Sequence, residues 1–583
     1  MALVALVLGW ILLGSAGSSS AQFLPHAPVG PEFGVNTYTT GFQGFPRVAA
    51  LGSGDFVVVW QSEAQDGSLA GIFGQRLDPD GVKLGPEFQV NTYTTSQQFD
   101  PALAADGAGN FVVVWESSGQ DGSLGGIFGQ RYDGGGAALG TEFAVNTYTT
   151  STQDQPAVGA NGAGDFVVAW RSGQDGHVDG VFGRVFNSSG SPLGPDFQVN
   201  TYTTSDQRAP AVAGDGAGNF VVVWDSSGQD GSGAGIFGQR YDSSGGTLGS
   251  EFPVNTYTTG PQQNASVAAD GAGNFLVVWE SVQDGSPFGI IGLLHDSNGA
   301  PLGTEFQVNT YTTDSQSFEA VAADGSGNFI TVWSSNTQDG SSTGVFGQRF
   351  DGGGAPLGSE FRVNTYTTGD QTLPAVAADS SGSFIVVWQS DGQDGSFNGI
   401  FAQRFALGRL IRGKKLLVRN PGAESQRTVV AVAKETATDI GSAIIGDPVA
   451  AGATLRIITK GTTNSDQTYV LDGSGWAQAG TTGFKYTGPT GGDGDPVQKV
   501  ILKRTSSGKA LLRATLKGSI GTQSLDVVPP NLGDEAGLIL TINGGATYCV
   551  SFGGAAGGEE TGDSDVLWKI VNPTAEPGCP TPL

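Results

Sequence analysis

"NFVVVW", residues 110–115, decides the fold. In an extended chain successive side chains point to opposite faces, so Phe111, Val113 and Trp115 share one face and Val112 and Val114 the other. Both faces are apolar, so both have to be covered. The tryptophan returns at Trp60, Trp115, Trp170, Trp224, Trp279, Trp333 and Trp388. It reads as core packed between stacked sheets rather than as a ligand-stacking ring.

Around this strand the chain repeats. Repeats begin at Gly30, Gly85, Gly140, Gly194, Gly249, Gly303 and Gly358, at intervals of 54 or 55 residues. The second copy reads as four extended segments: Glu87–Asn91, Pro101–Ala105, Asn110–Glu116 and Gly126–Asp133. Asp106-Gly107-Ala108-Gly109 and Gln120-Asp121-Gly122-Ser123 are tight-turn signals between them. Four short neighbouring strands per repeat make one antiparallel propeller blade. The expected fold is all-β: a seven-bladed β-propeller over residues 22–405, then a β-sandwich-like domain over 406–583. If "EFxVN" ends the preceding blade, the seventh blade lacks a strand. The first copy, Glu32–Asn36, is then expected beside Gly399–Phe405, which closes the ring. After Phe405, alternating stretches such as Thr428–Ala433, Thr454–Ile458, Val497–Lys503 and Leu538–Ile542 carry the sandwich pattern.

Composition agrees with an exported, turn-rich protein. Of 583 residues 95 are Gly and 1 is Met, and only 14% are charged. The net charge is -27, and it is confined to residues 1–405, which hold 11 basic and 39 acidic residues. An acidic body repels phosphate backbones, which excludes nucleic acid as a partner. The start, "MALVALVLGWILLGSAGSSSAQF", reads as a signal peptide cut after Ala21, hence a secreted or surface protein without a membrane span. Cys549 and Cys579 are expected to form one disulfide, closing a loop of about 30 residues.

Chemistry is harder to find. The histidines are His26, His177 and His295, and no nucleophile, zinc or phosphate motif surrounds them. His177 reads as a loop residue, and His295, in "GLLHD" against the usual "GQRYD", as a substitution within a strand. The recurring carboxylates Asp66, Asp121, Asp175, Asp230, Asp284, Asp339 and Asp394 all sit in "QDG". They read as turn formers first and as candidate Ca2+ ligands second, since calcium needs roughly six oxygens. "VNTYTT" recurs without change, so Tyr38, Tyr93, Tyr148, Tyr202, Tyr257, Tyr311 and Tyr366 form a ring on one rim. Each packs across a blade junction or offers a ligand-stacking face.

"DGAGNFVVVWES…QDGS…GIFGQRYD" resembles the repeats of secreted bacterial β-propeller proteins, some of them parts of calcium-associated adhesins. The integrin-type calcium propellers are a looser likeness, since "DGAGN" holds one acid where they hold several. The sialidase box has a shorter Asp-to-Trp spacing than this chain. "GKKLLVRNPG…YCVSFGG" resembles a module of exported bacterial proteins. The resemblance implies a non-catalytic protein that binds polysaccharide or another surface ligand multivalently. Two alternatives stand beside it: an extracellular carbohydrate-active enzyme, hydrolase or lyase, with carboxylates on one propeller face, and a purely structural surface protein. A catalytic centre would be a unique, asymmetric cluster. Repeats three and five depart from the pattern ("DGHVDGVFGRVFN", "IIGLLHD"), but no acid/base pair is evident in either.

Overall fold

The two faces of Phe111–Trp115 are buried against different neighbours. Phe111, Val113 and Trp115 join Val57, Val59 and Ile72 in one cluster, while Val112 and Val114 join Phe166, Val168 and Trp170 in the next. The same division recurs at every repeat, and all seven tryptophans are fully buried. Each such aromatic side chain contributes about 3 kcal/mol of burial.

The computed structural model describes residues 26–407 except positions 80, 177 and 381. It further describes 409–571 except 411–412, 421–422, 435–447, 461–464, 481–482, 489–495, 505–509, 519–524, 526–534, 543–546, 554–558 and 564–566. The expected signal peptide with its cut after Ala21, His177 and Cys579 lie outside the described residues.

Among these residues the repeats form seven four-stranded antiparallel sheets. Sheet 2 is the type: Gln98–Ala105, Phe111–Ser118, Gly125–Tyr132 and Phe143–Ala144, in chain order across the sheet. In sheet 7 the fourth place is taken by His26–Gly34, which pairs antiparallel with Asn398–Leu407. The first strand of each sheet runs beside the first strand of the next, and Gln371–Ala378 of sheet 7 runs beside Gln43–Ala50 of sheet 1. Neighbouring sheets share one hydrophobic cluster each, and the last and first share theirs through Trp60, Ile385 and Ile400. The layout is all-β and propeller-like.

The unchanging "VNTYTT" has a structural cause. The buried Asn91 accepts the backbone N–H of Ile72 at 2.7 Å and donates to Tyr93 O (2.9 Å) and Gln98 Oε1 (3.1 Å). One side chain thus ties the outgoing strand of sheet 1, the turn and the first strand of sheet 2. Thr92 then donates through its N–H and hydroxyl to Glu142, the acid of the following "EF". Where the first and last repeats meet, Asn36 accepts from Ile400 N at 2.7 Å, and Glu32 accepts from Thr365 N at 2.5 Å. Asn91→Ala would leave a buried N–H without a partner and is expected to cost about 2 kcal/mol, measured as a lower denaturant midpoint.

Glycine is required where the third strand passes the fourth: a Cβ on Gly129 would lie 2.9 Å from the Phe143 ring. Gly109, at φ 86°, closes the turn in which Asp106 Oδ1 accepts from Ala108 N and Asn110 N.

Among the described residues the C-terminal region holds a five-stranded and an eight-stranded sheet. Leu416 and Val418 of one and Leu455 and Leu538 of the other belong to a single buried cluster, as in a sandwich. Thr428–Lys434, Ala453–Lys460, Val497–Arg504 and Glu535–Ile542 match the four alternating stretches of the sequence. Cys549 is buried on Thr547–Gly553; its expected partner is outside the described residues.

Candidate active site

The first strand of each sheet begins three residues before the sequence pattern predicts. In sheet 2 it starts at Gln98, not Pro101, because Asp100 adopts φ 49° and the pairing slips between Phe99 and Ala102. Proline supplies no N–H and breaks the readable alternation there, yet the chain continues through a β-bulge. Every sheet has this bulge. Its left-handed residue is Phe45, Asp100, Gln155, Ala209, Asn264, Phe318 or Leu373, at φ between 49° and 57°. Such a conformation costs an L-residue about 1 kcal/mol.

Beside the bulge lies the residue that follows the tryptophan. It is Gln61, Glu116, Arg171, Asp225, Glu280, Ser334 or Gln389 in sheets 1 to 7. It pairs with the second residue of the first strand, as Glu116 does with Phe99 and Arg171 with Asp154. Here the repeats stop being alike. Across the seven sheets these positions are asymmetric and acidic.

Two groups stand out. In sheets 2 and 3, Arg171 Nε donates to Asp154 Oδ1 at 2.7 Å, its Nη2 donates to Asp154 Oδ2, and Nη1 lies 3.5 Å from Asp179. Glu116 is 5% exposed. Burial, then the charges of Asp154 and Asp100, push its carboxyl up to about 8, against a smaller opposing pull from Arg171. Glu116, Tyr93, Leu124 and Thr152 border an open pocket of about 520 Å³, a volume suited to a small ligand.

In sheets 4 to 6, Asp225 accepts from Asn264 N at 2.9 Å and lies 3.8 Å from Arg208. Glu280 accepts from Asn264 Nδ2 and Phe318 N, both at 3.1 Å. Glu319 stands where five other sheets have proline: Pro46, Pro101, Pro156, Pro210 and Pro374. It is buried, and neither carboxylate oxygen has a partner from another residue. Burial first, then Glu280, holds it well above the usual carboxylate range. Burial, reinforced by Glu280 and opposed by the Asn264 N–H and Arg208, brings Asp225 to about 7.

The residues singled out from the sequence fall elsewhere. Asp66, Asp121, Asp230, Asp284, Asp339 and Asp394 each accept the N–H two residues on at 2.9–3.0 Å, while Asp175 accepts from Gln198 Nε2 at 3.2 Å. No group of three or more His, Cys, Asp and Glu close enough to hold a metal occurs among the described residues. The seven tyrosines are all partly buried, neither sealed in a junction nor free on a surface. Tyr311 hydroxyl meets Thr337 Oγ1 at 3.3 Å, and Tyr93 borders the pocket. His295 is buried at a strand end and stacks on Phe275 at 4.9 Å; burial lowers it to about 4.

No family model matches the chain. No curated protein matches it either. Solved structures do. A protein of unknown function from Dyadobacter fermentans is 10% identical at a TM-score of 0.43, over 65% of this chain and 98% of that one. An α-L-arabinanase from Penicillium chrysogenum, solved with arabinobiose, is 14% identical at 0.39, over 65% and 98%. The NanB sialidase from Streptococcus pneumoniae is 8% identical at 0.37, over 65% and 70%. These likenesses are remote, and the chemistry rests on the residues above. The expectation that the chain is no enzyme is nevertheless corrected here. It rested on the lack of an asymmetric carboxylate cluster, and such a cluster is present. Among the described residues no helix is long and apolar enough to cross a membrane.

Proposed function

We propose that this chain is a carbohydrate-active enzyme, a glycoside hydrolase whose acid sits at one end of a closed seven-bladed propeller. The blades are the seven sheets. Closure is supported by the pairing of His26–Gly34 with Asn398–Leu407 and by the cluster shared between sheets 7 and 1.

One observation carries the reading: Glu116 is a buried carboxyl held up to about 8 at the wall of an open pocket. At neutral pH it keeps its proton and can hand it to a departing glycosidic oxygen. Beside it Asp154 accepts from Arg171 Nε at 2.7 Å, which holds this second carboxyl in orientation. A proton-donating carboxyl with a second, oriented carboxyl near it is what acid-assisted glycoside cleavage needs. Tyr93 and Leu124 supply apolar surface for a sugar ring at the pocket edge.

The test is incubation with a panel of neutral and acidic polysaccharides, followed by measurement of new reducing ends. Release from at least one glycan is expected. Binding without release from any would return the chain to the class of multivalent binding proteins.

A further inference from the structure

The bulge residues raise a separate question. The place of the bulge is fixed although its immediate neighbours vary: Gln98 and its equivalents come two residues before it in every repeat, and the "VNTYTT" turn comes before that. The backbone is also constant, with a left-handed residue in all seven sheets. Glycine makes that conformation without strain, and asparagine makes it cheaply. The chain holds 95 glycines and uses them in its turns, yet glycine never occupies this position. Asn264 and Asp100 are the tolerant residue types; phenylalanine, leucine, alanine and glutamine fill the rest. Side chains kept at a strained position that glycine would fill without strain point to use.

The variation is ordered around the ring. Phe318, Leu373 and Phe45 occupy sheets 6, 7 and 1, which are neighbours. Phe318 is 48% exposed, and Phe42 lies against Phe45 with ring centroids 6.1 Å apart. Asp100, Gln155 and Asn264 occupy sheets 2, 3 and 5 on the other side. One arc is apolar and largely aromatic; the opposite arc offers carboxylate and amide groups. A neutral sugar ring has the same two characters, with C–H groups on its faces and hydroxyls at its edge.

We infer that the seven left-handed bulge residues are the specificity-determining ring of this protein, taking the end of a neutral glycan with its C–H face on Phe318, Leu373 and Phe45 and its hydroxyls toward Asp100, Gln155 and Asn264. This rests on the carbohydrate reading above and adds the substrate class and the residues that select it.

The experiment uses the full chain carrying Glu116→Gln, so that turnover does not consume the probe. Affinity for neutral oligosaccharides of arabinose, xylose, galactose and glucose is measured by calorimetry, alone and with Phe318→Gly or Leu373→Gly. The expected result is at least a tenfold loss of affinity in each glycine variant, with Tm unchanged or raised because the strain is relieved. Unchanged affinity, a Tm lower by several degrees with affinity retained, or no binding of any neutral oligosaccharide by the parent would each overturn the inference. Turnover by the wild-type chain together with unchanged affinity in the variants removes the inference and leaves the hydrolase reading. Affinity lost in the variants without turnover by the wild type does the reverse.

Discussion

Glu116→Gln is expected to lower the rate of glycan cleavage by about 10²- to 10⁴-fold, the usual contribution of a positioned general acid. The replacement keeps size and burial but has no acidic proton to give. Substrate affinity and Tm are expected to change little, because among the described residues no hydrogen bond involves the Glu116 carboxyl, which is already neutral near pH 7. Substrates with activated leaving groups, which need less protonation, are expected to lose less than natural glycans. Asp154→Asn should also lose activity, but with a stability cost, since Arg171 would lose a charged partner within a part-buried pair. Equal losses on activated and natural substrates would argue for a positioning role at Glu116 instead of proton donation.

Glu319→Pro is expected to stabilise the protein at pH 8 by on the order of 2 kcal/mol, the cost of a buried carboxyl without a hydrogen-bond partner. Proline is the residue five other sheets carry at this position, so the backbone accepts it. The gain depends on pH. A carboxyl whose pKa is raised by folding holds its proton more firmly in the folded state. Its stabilising contribution is complete below the unfolded value and is lost as pH rises through the folded value. For Asp225 the two values are 3.8 and about 7, and for Glu116 they are 4.5 and about 8. Glu319 shifts in the same direction. The wild-type Tm is therefore expected to fall steadily from pH 5 to pH 9, and Glu319→Pro to flatten that fall. A Tm that rises over this range, or a variant that loses stability at pH 8, would show that the strip across sheets 4 to 6 is not strained by ionisation.

The sheets were legible in the sequence because their cause is local and repeated. Phe111 to Trp115 must bury both faces, and the same run in every repeat leaves only stacked sheets as a solution. Counting strands placed Glu32–Asn36 beside Gly399–Phe405; Phe33 and Gly34 do pair with Ala402 and Phe401, but the strand begins earlier, at His26. The site was not legible, and for a physical reason. Its residues belong to three positions that pattern reading discards: a bulge before a proline, the residue just past the core tryptophan, and the second residue of a strand whose start was set too late. Glu116 looks like a solvent-facing strand end in "NFVVVWES", whereas the turn of sheet 2 and Thr152 enclose it. One signal was available. Aligning the repeats at the tryptophan and reading the next letter gives Gln, Glu, Arg, Asp, Glu, Ser, Gln, a change of charge inside an otherwise constant frame. The "QDG" aspartates drew attention because they repeat, and repetition here marks turn geometry. Glu319 is the opposite case: the one sheet in which an acid replaces the usual proline or alanine holds the most isolated carboxyl of the strip.

The protonation state of Glu116 can be read without knowing any substrate. The infrared difference spectrum between the wild-type chain and Glu116→Gln isolates its carboxyl band. A protonated C=O band at pH 6 that disappears with a midpoint near 8 is the expected result. A carboxylate already ionised at pH 6, titrating between 4 and 5 like a solvated glutamate, would contradict the assignment of Glu116 as the acid of this site.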